Sequence, residues 1–267
     1  MTGTRTTTMW KPITSADTPA EPVDLSWREA GWPLAGKVGT LITTRDGGVS
    51  PPPYASLNLG DHVGDDAANV AANRARVRER LPAEPAWLQQ VHGITVVDAA
   101  GVIPGQPPQA DASFSRTPGA VCCIMTADCL PVLLADRAGT VVGAAHAGWR
   151  GLLNGVIEAT VSAMNEPAAN LVAWLGPAIG PDAFEVGAEV RDAFLAHDVH
   201  AVQAFDPIGD DKYLADIYLL ARQRLAAIGI TEVYGGDECT VIDRERYFSY
   251  RRDGVTGRMA SLIWIKP

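Results

Sequence analysis

The sequence predicts a mixed α+β fold in one compact unit running from residue 36 to residue 267. Three observations predict it. Short, near-continuous apolar runs of strand length recur between residues 94 and 147, segments of helix-forming composition alternate with such runs, and no linker divides the chain. Periodicity alone leaves the order of the strands open.

Residues 1–35 precede the unit as a Thr/Pro-rich segment, expected to be a poorly ordered tail. VGTLITT (38–44) reads as a strand, broken by the turn Arg45-Asp46-Gly47-Gly48. Pro51 to Pro53 keep YASLNLG extended or looped, because proline restricts its predecessor as well as itself. From Asp65, DDAANVAANRARVRERL predicts a helix with acidic residues at the positive end of its dipole, closed by Pro82 and Pro85. ITVVDA, AVCCIMTA, PVLLAD and TVVGAAHA read as strands covered on both faces. LLNGVIEATVSAM, after Gly151, reads as a helix, LVAWLGPAIG as a strand ending in a Gly/Pro loop, and VGAEVRDAFLAH as a further helix. The clearest helical pattern is KYLADIYLLARQRLAAIG, in which Leu214, Ile217, Leu220, Ala221, Leu225 and Ile228 follow three- and four-residue steps up to a stop at Gly229. RYFSYRRDGVTGR then leads into a last strand, MASLIWI.

Composition bounds the function. Of 267 residues, 47% are hydrophobic and 20% charged, a globular balance that excludes disorder over the whole chain. A net charge of −9 with no long basic run argues against binding a nucleic-acid backbone, yet arginines can still converge locally on a small anion. Cys122, Cys123, Cys129 and Cys239 are not spaced like the framework of a small secreted domain. The first residues lack the apolar core of a signal peptide, and no run of about 18 apolar residues offers a membrane span. A cytoplasmic protein with reduced thiols is expected and, without repeat or heptad, a monomer.

Three residues carry the chemistry. Cys129 lies in TADCLP, His146 in VGAAHAGWRG and His92 in WLQQVHG. One thiol and two imidazoles can hold a zinc ion and leave its fourth position open, as catalytic zinc requires. Pro131 is expected to interrupt the strand beside Cys129 and turn the chain. His146 ends an apolar strand, and the small residues of AGWRG allow close backbone approach. The spacing is too long for a local zinc motif, so residue type alone leaves a buried thiol and two ordinary histidines as the alternative.

TRDGGVS, YASLNLGDHVGDD, WLQQVHG, the pair TADCLPVLLAD and AAHAGWRG, WLGPAIG, and YFSYRRDGVTGR occur in this order. Together they resemble the laccase-domain, or multicopper polyphenol oxidase, family, whose members are also called zinc-dependent purine nucleoside phosphorylases or peptidoglycan editing factors. The likeness runs from about residue 38 to residue 265. It implies a four-layer α/β/β/α sandwich related to the catalytic domain of cytotoxic necrotizing factor, with His92, Cys129 and His146 as zinc ligands. It further implies cleavage of adenosine, inosine, guanosine or methylthioadenosine with phosphate, and deamination of adenosine. The editing name implies amide hydrolysis on a muropeptide precursor instead. The oxidase name fits the composition poorly: a blue-copper site plus a trinuclear cluster needs about ten histidines, and the chain has five. Copper substituting for zinc would support only weak phenol oxidation.

Other residues are ranked by the same motifs. Arg45, Arg150, Arg251, Arg252 and Arg258 fall in the resembling loops and are expected to form a phosphate clamp, plain surface solvation being the alternative. Asp128 is a candidate general acid/base if burial raises its pKa, or an orienting group for a ligand. Asn58 is expected to bind a base or sugar hydroxyl or to cap a turn, and His62 to approach the pocket. His197 and His200 read as surface residues near a helix end. Cys122 and Cys123 point to opposite faces of one strand, and Cys239 reads as structural. Trp149 and Tyr250 flank arginines and can stack on a purine or simply pack. A Cys–His amidase with Cys129 as nucleophile and His146 as base, and a zinc-stabilised binding module, remain alternatives.

Overall fold

The computed structural model describes residues 27–34 and 36–267. In chain order the strands are β1 (Val38–Ile42), β2 (Pro85–Ala86), β3 (Val96–Asp98), β4 (Ala112–Ser115), β5 (Val121–Thr126), β6 (Leu130–Asp136), β7 (Val142–Ala147), β8 (Leu171–Leu175), β9 (Glu185–Gly187), β10 (Phe205–Gly209), β11 (Lys212–Ala215), β12 (Val233–Gly235) and β13 (Met259–Ile265). The α-helices are α1 (Ala67–Arg78), α2 (Trp149–Asn154), α3 (Val156–Met164), α4 (Ala188–His197), α5 (Ile217–Ala227) and α6 (Tyr250–Asp253).

Three sheets result: a four-stranded one ordered β1-β13-β5-β2, a six-stranded one ordered β12-β8-β6-β7-β4-β3, and a small one ordered β10-β11-β9. Antiparallel pairs form the centre of both larger sheets, and parallel pairs lie at their margins. The near-continuous apolar strands are explained by what covers them. Cys122 and Ile124 of β5 and Ile263 of β13 share an apolar cluster with Leu133 of β6, Val142 and Ala144 of β7 and Trp174 of β8. The alternate residues Val121, Cys123 and Met125 pack instead with Leu57, Leu59 and Val77 of α1. Strand period two thus sends Cys122 and Cys123 into different cores. On its other face the six-stranded sheet packs Val132, Leu134 and Ala173 against Leu152, Ile157, Phe194 and Leu225 from α2 to α5. Each fully buried Leu or Ile contributes about 1.5–3 kcal/mol.

Several elements differ from expectation. The helix expected over 212–228 starts later, because Lys212–Ala215 is β11, with Leu214 paired to Asp206. Asp216 caps α5 by accepting a hydrogen bond from the Leu219 N–H at 2.9 Å, which sets the true start. The helix expected after Gly151 is two helices, α2 and α3, divided at Gly155 with φ 96°. Glycine enters that left-handed region without steric cost. Pro131 lies inside β6 rather than ending it. Its carbonyl accepts from Gly176 N at 2.9 Å, so its missing N–H faces the side where β8 has already ended at Leu175. Within the segment expected to be a tail, Arg28 bridges Ile42, and Ala30, Trp32 and Leu34 are buried. The remainder of that expectation, residues 1–26 and 35, lies outside the described residues. No described helix is long and apolar enough to cross a membrane.

Candidate metal centre

The register of β6 against β7 creates the site. Pro131 stands opposite His146 and Leu130 opposite Ala147, so Cys129, one residue before β6, reaches the same end of the sheet as His146. The chain turns into β6 at Asp128, which has φ 88°. His92 arrives from the segment before β3, also left-handed with φ 61°. Its Nε2 lies 3.8 Å from Cys129 Sγ, and its ring centroid lies 4.8 Å from that of His146. One donor atom from each of His92, Cys129 and His146 lies within 4.8 Å of the others. Gly148 permits this approach, since a Cβ there would stand 2.9 Å from Cys129 Sγ and 3.1 Å from His92 Cδ2.

Burial is graded across the cluster. His92 is exposed, Cys129 half-buried and His146 only 3% exposed. Beneath them lies Asp111, fully buried, whose Oδ1 accepts from His146 Nδ1 at 2.9 Å. No motif points to Asp111. A lone carboxylate in the small-residue run QADAS, just before a strand, is the one signal it carries.

The charges follow from this geometry. Burial by itself raises the Cys129 thiol, but the His146 and His92 imidazoles outweigh it and bring its pKa down to about 6. Burial disfavours the His146 imidazolium, yet the Cys129 sulfur and the Asp111 carboxylate raise its pKa to about 9. Burial likewise opposes the charge on Asp111, whose pKa is nonetheless lowered by His146 and the Gly93 N–H. At neutral pH the metal-free pair is a thiolate beside an imidazolium, and a metal cation bound there would take the place of the proton.

The residues fit a metal. A thiolate and two imidazoles suit borderline-soft cations such as zinc or copper. Asp111 occupies His146 Nδ1, which leaves Nε2 for the metal side. Ligand atoms of a tetrahedral zinc sit about 3.3–3.6 Å apart, slightly inside the spacing found here.

The cluster opens on a cavity of about 260 Å³. Trp149, Ile179, Phe184 and Ile217 line it with apolar surface, and Tyr250, Arg150 and Arg251 are exposed members of its lining. The Arg150 guanidinium lies 4.4 Å from the Trp149 ring centroid, with no hydrogen bond or ion pair to a described side chain. Arg251 donates to Glu185 O at 2.9 Å and lies over the Phe184 ring.

The five arginines expected as one clamp separate. Arg45 and Arg252 line a different cavity of about 690 Å³. Both are committed to the main chain, Arg45 to the carbonyls of Ala55 and Arg244, Arg252 to those of Thr240, Val241 and Tyr247. Arg258 donates to Thr256 O and Gly257 O, and its guanidinium lies 6.0 Å from the Tyr250 ring. Asn58 is fully buried, its amide donating to Gly60 O and Asp65 Oδ2 and its oxygen accepting from Gly60 N and Arg258 N. With that capacity used, the expected contact to a base or sugar has no donor or acceptor left.

Asp128 is equally engaged. Its Oδ1 accepts from Thr240 Oγ1 at 2.5 Å, and its Oδ2 from Ser249 Oγ at 3.1 Å and Arg251 N at 2.6 Å. The carboxylate therefore ties the residue before Cys129 to the start of α6, which carries Tyr250 and Arg251. His62 is exposed and lines a third cavity, with Arg74 and Trp87, instead of the one at the cluster. His197 closes α4 and His200 pairs with Asp198. Burial pushes the Cys122 thiol up to about 12 and the Cys123 thiol up further. Cys239 Sγ accepts from Gly180 N at 3.2 Å.

A family model described as multi-copper polyphenol oxidoreductase laccase matches residues 39–266. The chain belongs to this laccase family. Among its relatives, purine nucleoside phosphorylase YfiH of Escherichia coli is 58% identical over 236 residues, 88% of this chain and 96% of that protein. Purine nucleoside phosphorylase PA4543 of Pseudomonas aeruginosa is 55% identical over 242 residues, 90% of this chain and 99% of its own. The crystal structure of Neisseria meningitidis protein NMB0706 has a TM-score of 0.88 at 54% identity, covering 90% of this chain and 99% of that one. That of YlmD from Geobacillus stearothermophilus has a TM-score of 0.81 at 28% identity, covering 90% and 96%. For all the oxidase in the family's name, only two of the chain's five histidines enter the cluster.

Proposed function

We propose that the chain is a zinc-dependent purine nucleoside phosphorylase. It cleaves adenosine, inosine, guanosine or methylthioadenosine with phosphate and also deaminates adenosine. One observation carries the reading: a three-donor Cys/His cluster stands at a cavity whose walls are apolar and aromatic and whose exposed lining holds arginines. The names of the relatives above support it.

His92, Cys129 and His146 hold the zinc. When bound, it supplies a Lewis acid for charge that develops on the reacting nucleoside and phosphate. The chain's own residues do the rest. Phe184, Ile179 and Ile217 exclude water around the purine, and Trp149 or Tyr250 stacks on it. Arg150, whose guanidinium has no competing acceptor among the described side chains, holds the incoming phosphate with help from Arg251. Of the two parts open to Asp128, general acid/base or orienting group, we assign it the second: its carboxylate fixes the start of α6 against the site. Arg45, Arg252 and Asn58 serve the loops.

We infer the four-layer α/β/β/α sandwich related to the cytotoxic necrotizing factor catalytic domain that the family resemblance implies, a reading supported by the apolar clusters between the two larger sheets and against the helices. We further infer a single domain that takes in the packed residues 28–34 as well as the expected 36–267, monomeric and cytoplasmic.

A second reading is favoured by the lowered Cys129 pKa beside the His146–Asp111 pair, which has the makings of a thiol nucleophile, base and orienting acid. It would serve amide hydrolysis on a muropeptide precursor. Purified, zinc-loaded protein is incubated with inosine, with and without phosphate, and the products are resolved by chromatography. Phosphate-dependent release of hypoxanthine is expected. Absence of that release, with amide cleavage by the metal-free protein, would overturn the first reading in favour of the second.

A further inference from the structure

We propose that Asp111 is the positioning residue of the metal centre, a single buried carboxylate that holds both histidines, His146 by its ring and His92 by its backbone. The proposal rests on the metal reading of the cluster and not on the nucleoside reaction.

Four donors converge on its two oxygens. Oδ1 accepts from His146 Nδ1 at 2.9 Å and His92 N at 2.8 Å. Oδ2 accepts from Gly93 N at 2.7 Å and Val91 N at 3.2 Å. Three successive backbone N–H groups turned on one anion form a concave nest. That nest accounts for His92 keeping φ 61°, a conformation disfavoured for a residue with a side chain. The main chain of Asp111 is also tied to His146, whose N–H donates to its carbonyl at 2.7 Å, while its own N–H donates to Thr95 O at 3.0 Å. The register of β4 on β7, with Ala112 opposite Ala145, places the carboxylate beneath His146.

The chemistry requires a carboxylate at this point. An ionised carboxylate only accepts, so the His146 nitrogen facing it carries the proton, and Nε2 keeps a lone pair for the metal. An asparagine replaces one acceptor by a donor whichever way it turns. With its amide nitrogen in the Oδ1 place, His146 must move its proton to Nε2 and lose the ligating lone pair. With the nitrogen in the Oδ2 place, Val91 and Gly93 lose their acceptor and the His92 loop is released. Each orientation spoils at least one of the two histidines, and the first also sets a donor against the His92 N–H.

The test compares zinc affinity of wild type and Asp111→Asn by competition with a chromophoric chelator. A loss of about 10–100-fold is expected; affinity within about twofold of wild type would overturn the assignment while leaving the metal reading intact. Wild-type protein that takes up no zinc would overturn both. Because the variant removes bonds from a buried carboxylate and can fail to fold, the wild type supplies a second measurement. Nitrogen NMR of the zinc-loaded protein should show His146 protonated at Nδ1 and metal-bound at Nε2. Zinc on Nδ1, or a proton on Nε2, overturns the proposal without any variant.

Discussion

Stripped of metal, Cys129 is predicted to ionise with a midpoint near pH 6 instead of the ordinary 9.0. Burial opposes this ionisation; His146 first and His92 second more than compensate. At pH 7 the shift changes the thiolate fraction from about 1% to about 90%. The displaced proton resides on His146, whose pKa is raised to about 9. Stability follows with opposite signs at the two ends. The lowered Cys129 pKa contributes stability that is lost as pH falls through about 6, and the raised His146 pKa contributes stability that is lost as pH rises through about 9. Between those limits the two trends offset, since the first is full only above the ordinary 9.0 of the thiol and the second only below the ordinary 6.5 of the imidazole, so the pair leaves metal-free stability nearly level with pH. In the same window each zinc bound releases one proton, so apparent affinity should climb about tenfold per pH unit. The assay is the ultraviolet absorbance of the thiolate against pH, with Cys129→Ala as the blank. Cys122 and Cys123, pushed up by burial, stay silent below pH 10. His146→Ala should move the midpoint upward. A wild-type midpoint near 9, or one that His146→Ala leaves in place, refutes the electrostatic account.

Other perturbations separate the roles assigned above. Gly148→Ala should weaken zinc binding although no ligand is changed, because its Cβ would press on Cys129 Sγ and His92 Cδ2; unchanged zinc stoichiometry and affinity would show that the cluster yields easily. His92→Ala should abolish zinc uptake while circular dichroism and the thermal midpoint of the metal-free protein stay near wild type, since the side chain is exposed. Arg150→Ala should raise the KM for phosphate about tenfold, roughly one charge-assisted hydrogen bond, with the nucleoside KM little changed. Arg252→Ala should instead destabilise the protein by about 1.5–3 kcal/mol, because its guanidinium holds three carbonyls; chemical denaturation measures it. Asp128→Ala should retain zinc but raise the nucleoside KM more than it lowers kcat, and a pure kcat defect would restore it as an acid/base.

The strands were legible because their signals are local, whereas the Cys/His cluster rested on the motifs of the family resemblance, residue type and spacing alone leaving it open. The runs containing β5 to β8 are apolar from end to end, and a Cys or His beside such a strand is conspicuous in an acidic chain with few of either. What tertiary contact decides was not legible. Asn58 and Arg45 share motif loops with real candidates, yet their hydrogen bonds close those loops on themselves. The KYLA residues fit a helical step, but pairing with β9 and β10 takes them into a sheet. Asp111 becomes visible only when β4 is laid beside β7, since 35 residues separate it from His146. Pro131 reads as a breaker until the end of its neighbouring strand is known.

The cluster is lopsided toward water. Cys129 and His146 stand at the end of a sheet whose strands are sealed on both sides, whereas His92 rides on a surface loop. On the zinc reading, a chelator would therefore meet the ion first on the flank of that loop, where His92 is the exposed donor. The other two donors would be reached only past it, His146 lying within a strand that is buried from end to end.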